Sequence, residues 1–166
     1  MYYLPNKIKI DIDGIIDGML DSSPEVYYFL DIKTGNVGIV EIRKKEKDLD
    51  KILGQPDRYF QIPPVLNSEK EKWMKDFLKE IVPFDDIVLG ERLLGLPQNN
   101  FFENALAQIE KSKDGWIHGW DQWLGDHTYE LMKEWFDKIP VEITEEWEGC
   151  DDCAICQAMR SGNDSL

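Results

Sequence analysis

Cysteine is scarce in this chain and confined to one place. Cys150, Cys153 and Cys156 fall within seven positions, and the rest of the 166 residues has none. An odd count cannot be consumed in pairs, which argues against a disulfide framework. Histidine is scarcer still, with only His118 and His127. Basic residues are also short: 19 Lys and Arg stand against 33 Asp and Glu, a formal net charge of −14. Such a surface repels a phosphate backbone, so a nucleic-acid partner would need a segregated basic face. The one basic knot, "RKKEKDLDK" at 43–51, is diluted by Glu46, Asp48 and Asp50 and reads as a solvated segment. No nucleic-acid partner is expected.

Other absences are equally informative. No apolar run approaches the ~20 residues of a membrane span. The opening "MYYLPNKIKIDIDG" lacks the apolar core and small-residue cleavage site of a signal peptide. No membrane association and a cytoplasmic location are therefore expected. Neither a G-x-S-x-G elbow nor a phosphate-cradling glycine loop occurs, and "GNVG" is turn chemistry.

What is present is a globular composition. Hydrophobic residues make up 42%, with six Trp, six Tyr and seven Phe. A chain this long can bury roughly 70% of its unfolded surface and needs no metal merely to fold. In "DIDGIIDGML" an Asp able to cap precedes Ile12, Ile15, Ile16, Met19 and Leu20 at helical spacing, with Asp13, Asp17 and Asp21 on the wet face. "VYYFLDIKTGNVGIVEI" reads as a hairpin turning at Gly35 and Asn36, and "RYFQIPP" as a third, short strand. "NSEKEKWMKDFLKEIV" carries a capping box of Ser68 and Glu71 and an apolar stripe from Trp73 to Val82, with Pro83 as its stop.

Two shorter helices, "DDIVLGERLLG" and "NNFFENALAQIEK", precede a long one over "DGWIHGWDQWLGDHTYELMKEWFDKI". In that long helix Trp116, Trp120, Leu124, His127, Leu131 and Trp135 share one side, either as a core seam or as a grip for a flat ligand. "VEITEE" is a last strand or an extended linker. The order predicts an α+β fold, an N-terminal helix and small antiparallel hairpin or sheet followed by a helical subdomain. Residues 1–140 form the predicted domain and 141–166 an acidic, cysteine-bearing extension.

These elements resemble a bacterial family of unknown activity, uncharacterised protein family 0158, over roughly residues 8–140. The resemblance rests on the opening helix before "YYFLDIKTGNV", on "RYFQIP" before "EKEKWMKDFLKEIV", and on "YELMKEWFDKI". Members typically carry a basic, phenylalanine-bearing segment in the middle helices, where this chain has "NNFFENAL" with Glu103 and Asn104. The resemblance implies no activity, and the cysteines lie outside it.

The cysteine segment is the most specific chemistry on offer. Glu142, Glu145, Glu146, Glu148, Asp151 and Asp152 crowd it. Neighbouring negative charge raises a thiol's pKa and suppresses a nucleophile. The same charge favours a cation. Cys150, Cys153 and Cys156 fill three of four tetrahedral Zn²⁺ positions, and the fourth ligand would be His127, His118, a carboxylate or a group from a second subunit. The spacing also matches three ligands of a [4Fe–4S] run, without a fourth Cys. Alternatively the thiols are unligated on a short helix, "DDCAICQAMR", and His127 is a satisfied core imidazole.

The expected function is a non-enzymatic interaction or regulatory module with a basic protein partner and a structural zinc. One alternative is a metal-dependent hydrolase, with open-site zinc or Asp11, Asp13 and Asp17 and with Glu148 or Asp151 as base. Another is an immunity-type inhibitor of a basic toxin.

Overall fold

The computed structural model describes residues 1–44, 46–82, 86–112 and 115–146. The chain opens on a strand that its sequence does not advertise. β1 (Tyr2–Leu4) turns through Pro5–Lys7, where Asn6 and Lys7 take positive φ of 65° and 59°, into β2 (Ile8–Lys9). Helix α1 (Ile12–Leu20) follows, and the Asp11 carboxylate accepts the Gly14 amide at 3.0 Å as its N-cap.

The predicted hairpin is β3 (Val26–Asp31) and β4 (Val37–Glu41), paired antiparallel from Val26–Glu41 to Leu30–Val37. Of the two turn residues, Asn36 does not take positive φ, whereas Gly35 does, at 74°. A Cβ there would lie 2.0 Å from the Lys9 carbonyl oxygen, so no side chain fits. β5 (Tyr59–Gln61) pairs with the other edge of β3, giving the order β4-β3-β5. The link from β4 to β5 therefore crosses β3, and it contains α2 (Glu46–Leu53). Leu30 faces the main core, whereas Phe29 and Val40 are buried outside that core, on the other face of the sheet.

The remainder is helical: α3 (Asn67–Glu80), α4 (Ile87–Leu94), α5 (Phe101–Lys111) and α6 (Trp116–Lys138). The expected capping box fails. α3 begins one residue before Ser68, its N-cap is Leu66 with no side-chain bond, and Glu71 instead pairs with Lys75 at 2.9 Å. The apolar stripe holds, with Trp73, Met74, Phe77, Leu78 and Val82 buried; Pro83 lies outside the described residues.

α6 is the spine, packed against α1, α3 and α5. Because it is covered on several sides, its buried set is not the single stripe expected. Trp120 and Trp135 are buried, but Thr128, Met132 and Phe136 join them, while Trp116, Leu124, His127 and Leu131 are half-buried flanks. Thr128 can be buried because its hydroxyl donates to the Leu124 carbonyl at 2.7 Å.

The last strand, β6 (Thr144–Glu145), returns to the beginning of the chain. It pairs with β1 in a sheet of order β2-β1-β6, and Val141 and Ile143 pack on the core. Tyr2 sits under this sheet against Phe136, its hydroxyl 2.6 Å from that of Tyr129. The architecture is α+β, with two small antiparallel sheets and six helices among the described residues.

Candidate functional site

Of the two histidines expected as candidate fourth ligands, both within the described residues, His127 is the half-buried one. Its Nδ1 donates to the Trp123 carbonyl at 2.8 Å, since a carbonyl can only accept, and this leaves the Nε2 lone pair free in the neutral ring. The imidazole lies against Trp123 and Trp73, ring centroids 4.6 and 5.2 Å away. The helical repeat sets it about 180–200° round α6 from Phe136 and Tyr129, which face β1. His127 therefore looks toward α3, on the opposite side of the helix from β6.

Cys150, Cys153, Cys156, Glu148 and Asp151 lie outside the described residues. His118 is exposed on the first turns of α6. The carboxylates of the hydrolase alternative do not gather. Asp11 is committed to its cap, Asp13 and Asp17 are exposed, and no group of three potential ligands converges among the described residues.

What does converge is the region around the end of α1. The last turn of a helix leaves carbonyls without intrahelical partners. Here the Leu20 carbonyl accepts from the buried Lys70 ammonium of α3 at 3.1 Å, and the Met19 carbonyl accepts from the Val65 amide at 2.7 Å. Burial pushes the Lys70 ammonium below the ordinary lysine value, partly opposed by nearby Asp21. Asp21, just past α1, accepts from the Tyr28 hydroxyl at 2.5 Å and from the Ser23 amide at 2.8 Å. These bonds, the Tyr28 hydroxyl foremost, hold its carboxyl below the usual range. The same bond, followed by burial, pushes the phenol up to about 12.

This network fixes the wall of an apolar groove of about 300 Å³. Met19 and Val65 lie on one side and Leu131 and Trp135 of α6 on the other, with Leu66 at the lip. Glu69 and Glu134 rim it, with Lys138 at one end. Met19, Val65 and Trp135 are largely buried, but Leu66 is 62% exposed. A larger hollow of about 490 Å³ lies between Tyr2, Phe136 and Ile139, and is lined more by polar than by apolar surface.

The groove escaped sequence reasoning because its residues come from three separated segments. Leu66 in particular was hidden, because a capping box at Ser68 places the helix start two residues later than the structure does.

The fold and this surface define a small acidic α+β domain built on one central helix, with an open aliphatic groove. The chain belongs to the Uncharacterised protein family (UPF0158), whose profile matches residues 5–148. That span runs past the expected 8–140 at both ends, takes in β6, and stops short of Cys150. No curated protein and no solved structure matches the chain.

Proposed function

We propose that the protein is a non-enzymatic interaction module that receives an apolar, basic segment of a partner protein in the groove between α1, residues 63–66 and α6. Leu66 carries this reading. It occupies the N-cap of α3 at φ −69° and ψ 149°, makes no side-chain cap bond and is 62% exposed. Asp, Asn or Ser there would accept a first-turn amide and stabilise the helix by about 1 kcal/mol. An exposed leucine at a position that favours a polar cap works against local stability, and such departures concentrate at functional sites.

The charge supports the nature of the partner. With −14 on the chain and Glu69 and Glu134 at the rim, complementarity favours a cationic segment whose apolar side chains anchor in the groove. An immunity-type inhibitor of a basic toxin is one form this could take. Titration with a synthetic amphipathic Lys/Leu helix tests the reading. Affinity should fall several-fold between low and physiological salt, and Leu131→Asp should weaken binding at both. Binding indifferent to Leu131→Asp would overturn it.

The zinc proposal rests on the spacing of Cys150, Cys153 and Cys156. His127 fits poorly as their fourth ligand. Its Nε2 has the right lone pair, but the ring faces α3, so the segment leaving β6 would have to pass round α6 to reach it. Protein purified without added metal should contain close to one equivalent of zinc, and His127→Ala should retain it. Zinc near zero in the full chain removes the site, and loss with His127→Ala restores that ligand.

A further inference from the structure

The outer edge of β4 is a second free surface, with chemistry of its own. In an antiparallel ladder alternate residues point their backbone groups at the neighbouring strand. Asp31 N donates to Asn36 O at 2.9 Å and Ile42 N to Glu25 O at 3.0 Å, which fixes the parity. Val37, Ile39 and Glu41 therefore turn their amides and carbonyls away from β3. β4 is the edge of its sheet, and among the described residues only the Glu41 carbonyl of this set is engaged, by the Lys44 amide at 3.1 Å. Soluble proteins usually blunt such edges with proline, lysine or a bulge. Val37–Val40 has none of these, and Ile39 is 57% exposed.

The position of α1 sets the charge beside this edge. A Cβ on Gly14 would lie 3.1 Å from the Val37 Cβ, and one on Gly18 2.8 Å from the Tyr28 ring, so α1 rests on β3 and β4 through its glycines. Met19, on one flank of α1, binds Val65 on the β5 side. Asp13 and Asp17 fall on the opposite flank, toward the β4 edge, and both are exposed. Arg43 and Lys44 beyond β4 are engaged with Glu25 and Glu41 at 2.7 and 3.1 Å.

We propose that β4 accepts an extended segment of a basic partner as a fourth strand of this sheet. An apolar residue of that segment packs on Ile39, and Lys or Arg two positions to either side reaches Asp13 and Asp17. A second copy of the chain fits worse. Two-fold pairing through Ile39 would oppose Val37 to Glu41 and bring two aspartate rows onto one face. The inference rests on the reading of this chain as a binder of basic partners, but names a different surface and a different partner shape.

The probe is a capped heptapeptide, Thr-Lys-Thr-Val-Thr-Lys-Thr, with a Glu-for-Lys version as control. At saturating peptide, hydrogen exchange at the Val37 and Ile39 amides should slow by about tenfold or more. The control peptide should leave both unchanged. Ile39→Pro removes the outward amide without touching the β3 ladder and should abolish the effect. Because that variant could also disturb folding, Asp13→Asn with Asp17→Asn serves as the second, weakening binding several-fold in an intact sheet.

Unchanged exchange at Val37 and Ile39 overturns the proposal. So does slowing that grows with protein concentration in the absence of peptide, which would mark self-pairing. Slowing confined to Val65 and Leu66 overturns it too, while leaving the groove reading in place.

Discussion

Toward α3, helix α6 is sealed; toward residues 63–66 it is open. On the sealed side Trp116, Trp120 and Trp123 surround Phe77, centroids 6.3, 5.7 and 5.9 Å away, and the Trp123 indole donates to the Trp73 carbonyl at 3.1 Å. On the open side the walls are mostly aliphatic and Leu66 remains in solvent. Trp73, Trp116, Trp120 and Trp123 therefore mark the shut side, whereas Trp135 lends one wall to the groove. Large rings bury most area per side chain, and here most of them are spent on packing, while the groove is lined mainly by smaller groups.

The contrast can be broken most forcefully from inside. Trp120 is 2% exposed, and Trp120→Ala should cost about 3–5 kcal/mol, read as a fall in thermal midpoint. An unchanged midpoint would mean that the aromatic side is a binding face after all.

The third flank of α6 is covered by β1 and β6. A chain stopped after Pro140 loses β6 and the contacts of Val141 and Ile143, and should lose about 2 kcal/mol relative to one stopped after Glu146. Equal stability of the two would show that the pairing of β6 with β1 contributes nothing.

Near the groove the effects shrink. Tyr28→Phe removes the hydroxyl that holds Asp21 and should cost about 1 kcal/mol at neutral pH, because the site is only partly buried. Its pH dependence carries a sign. Asp21 has a folded pKa below its ordinary 3.8, so its contribution is present above that value and is lost as pH falls through the folded one. Tyr28 is raised to about 12, so its contribution is present below its ordinary 10.0 and is lost as pH rises through 12. The Phe variant should therefore narrow its gap to the parent at both extremes. A constant gap across pH would show that the hydroxyl acts by packing alone.

Local elements were legible in the sequence and remote pairings were not. The β3–β4 hairpin and the helices could be read because period and turn chemistry lie within a few residues of each other. β1, β2 and β6 have two or three residues each, too few to show a period, and Tyr2 meets Glu145 only after the whole chain has folded. The α6 seam was half right. Counting apolar spacing finds one face, but α6 has several neighbours and buries Thr128 and Met132 as well. The capping box failed because α3 starts two residues earlier than that box implied, which puts Leu66 at the N-cap, Ser68 inside the first turn and Glu71 in a pair with Lys75. The cysteines, the most specific motif, lie beyond the described residues.

Leu66→Asp tests the central claim most directly, because stability, charge and groove packing pull it in different directions. The aspartate supplies the missing cap and should raise stability by about 1 kcal/mol. It also adds a negative charge, which by electrostatics alone would tighten a cationic Lys/Leu peptide. A groove that anchors its partner through apolar contact predicts weaker binding by a more stable protein. Binding that is unchanged or tighter in that variant would contradict the account.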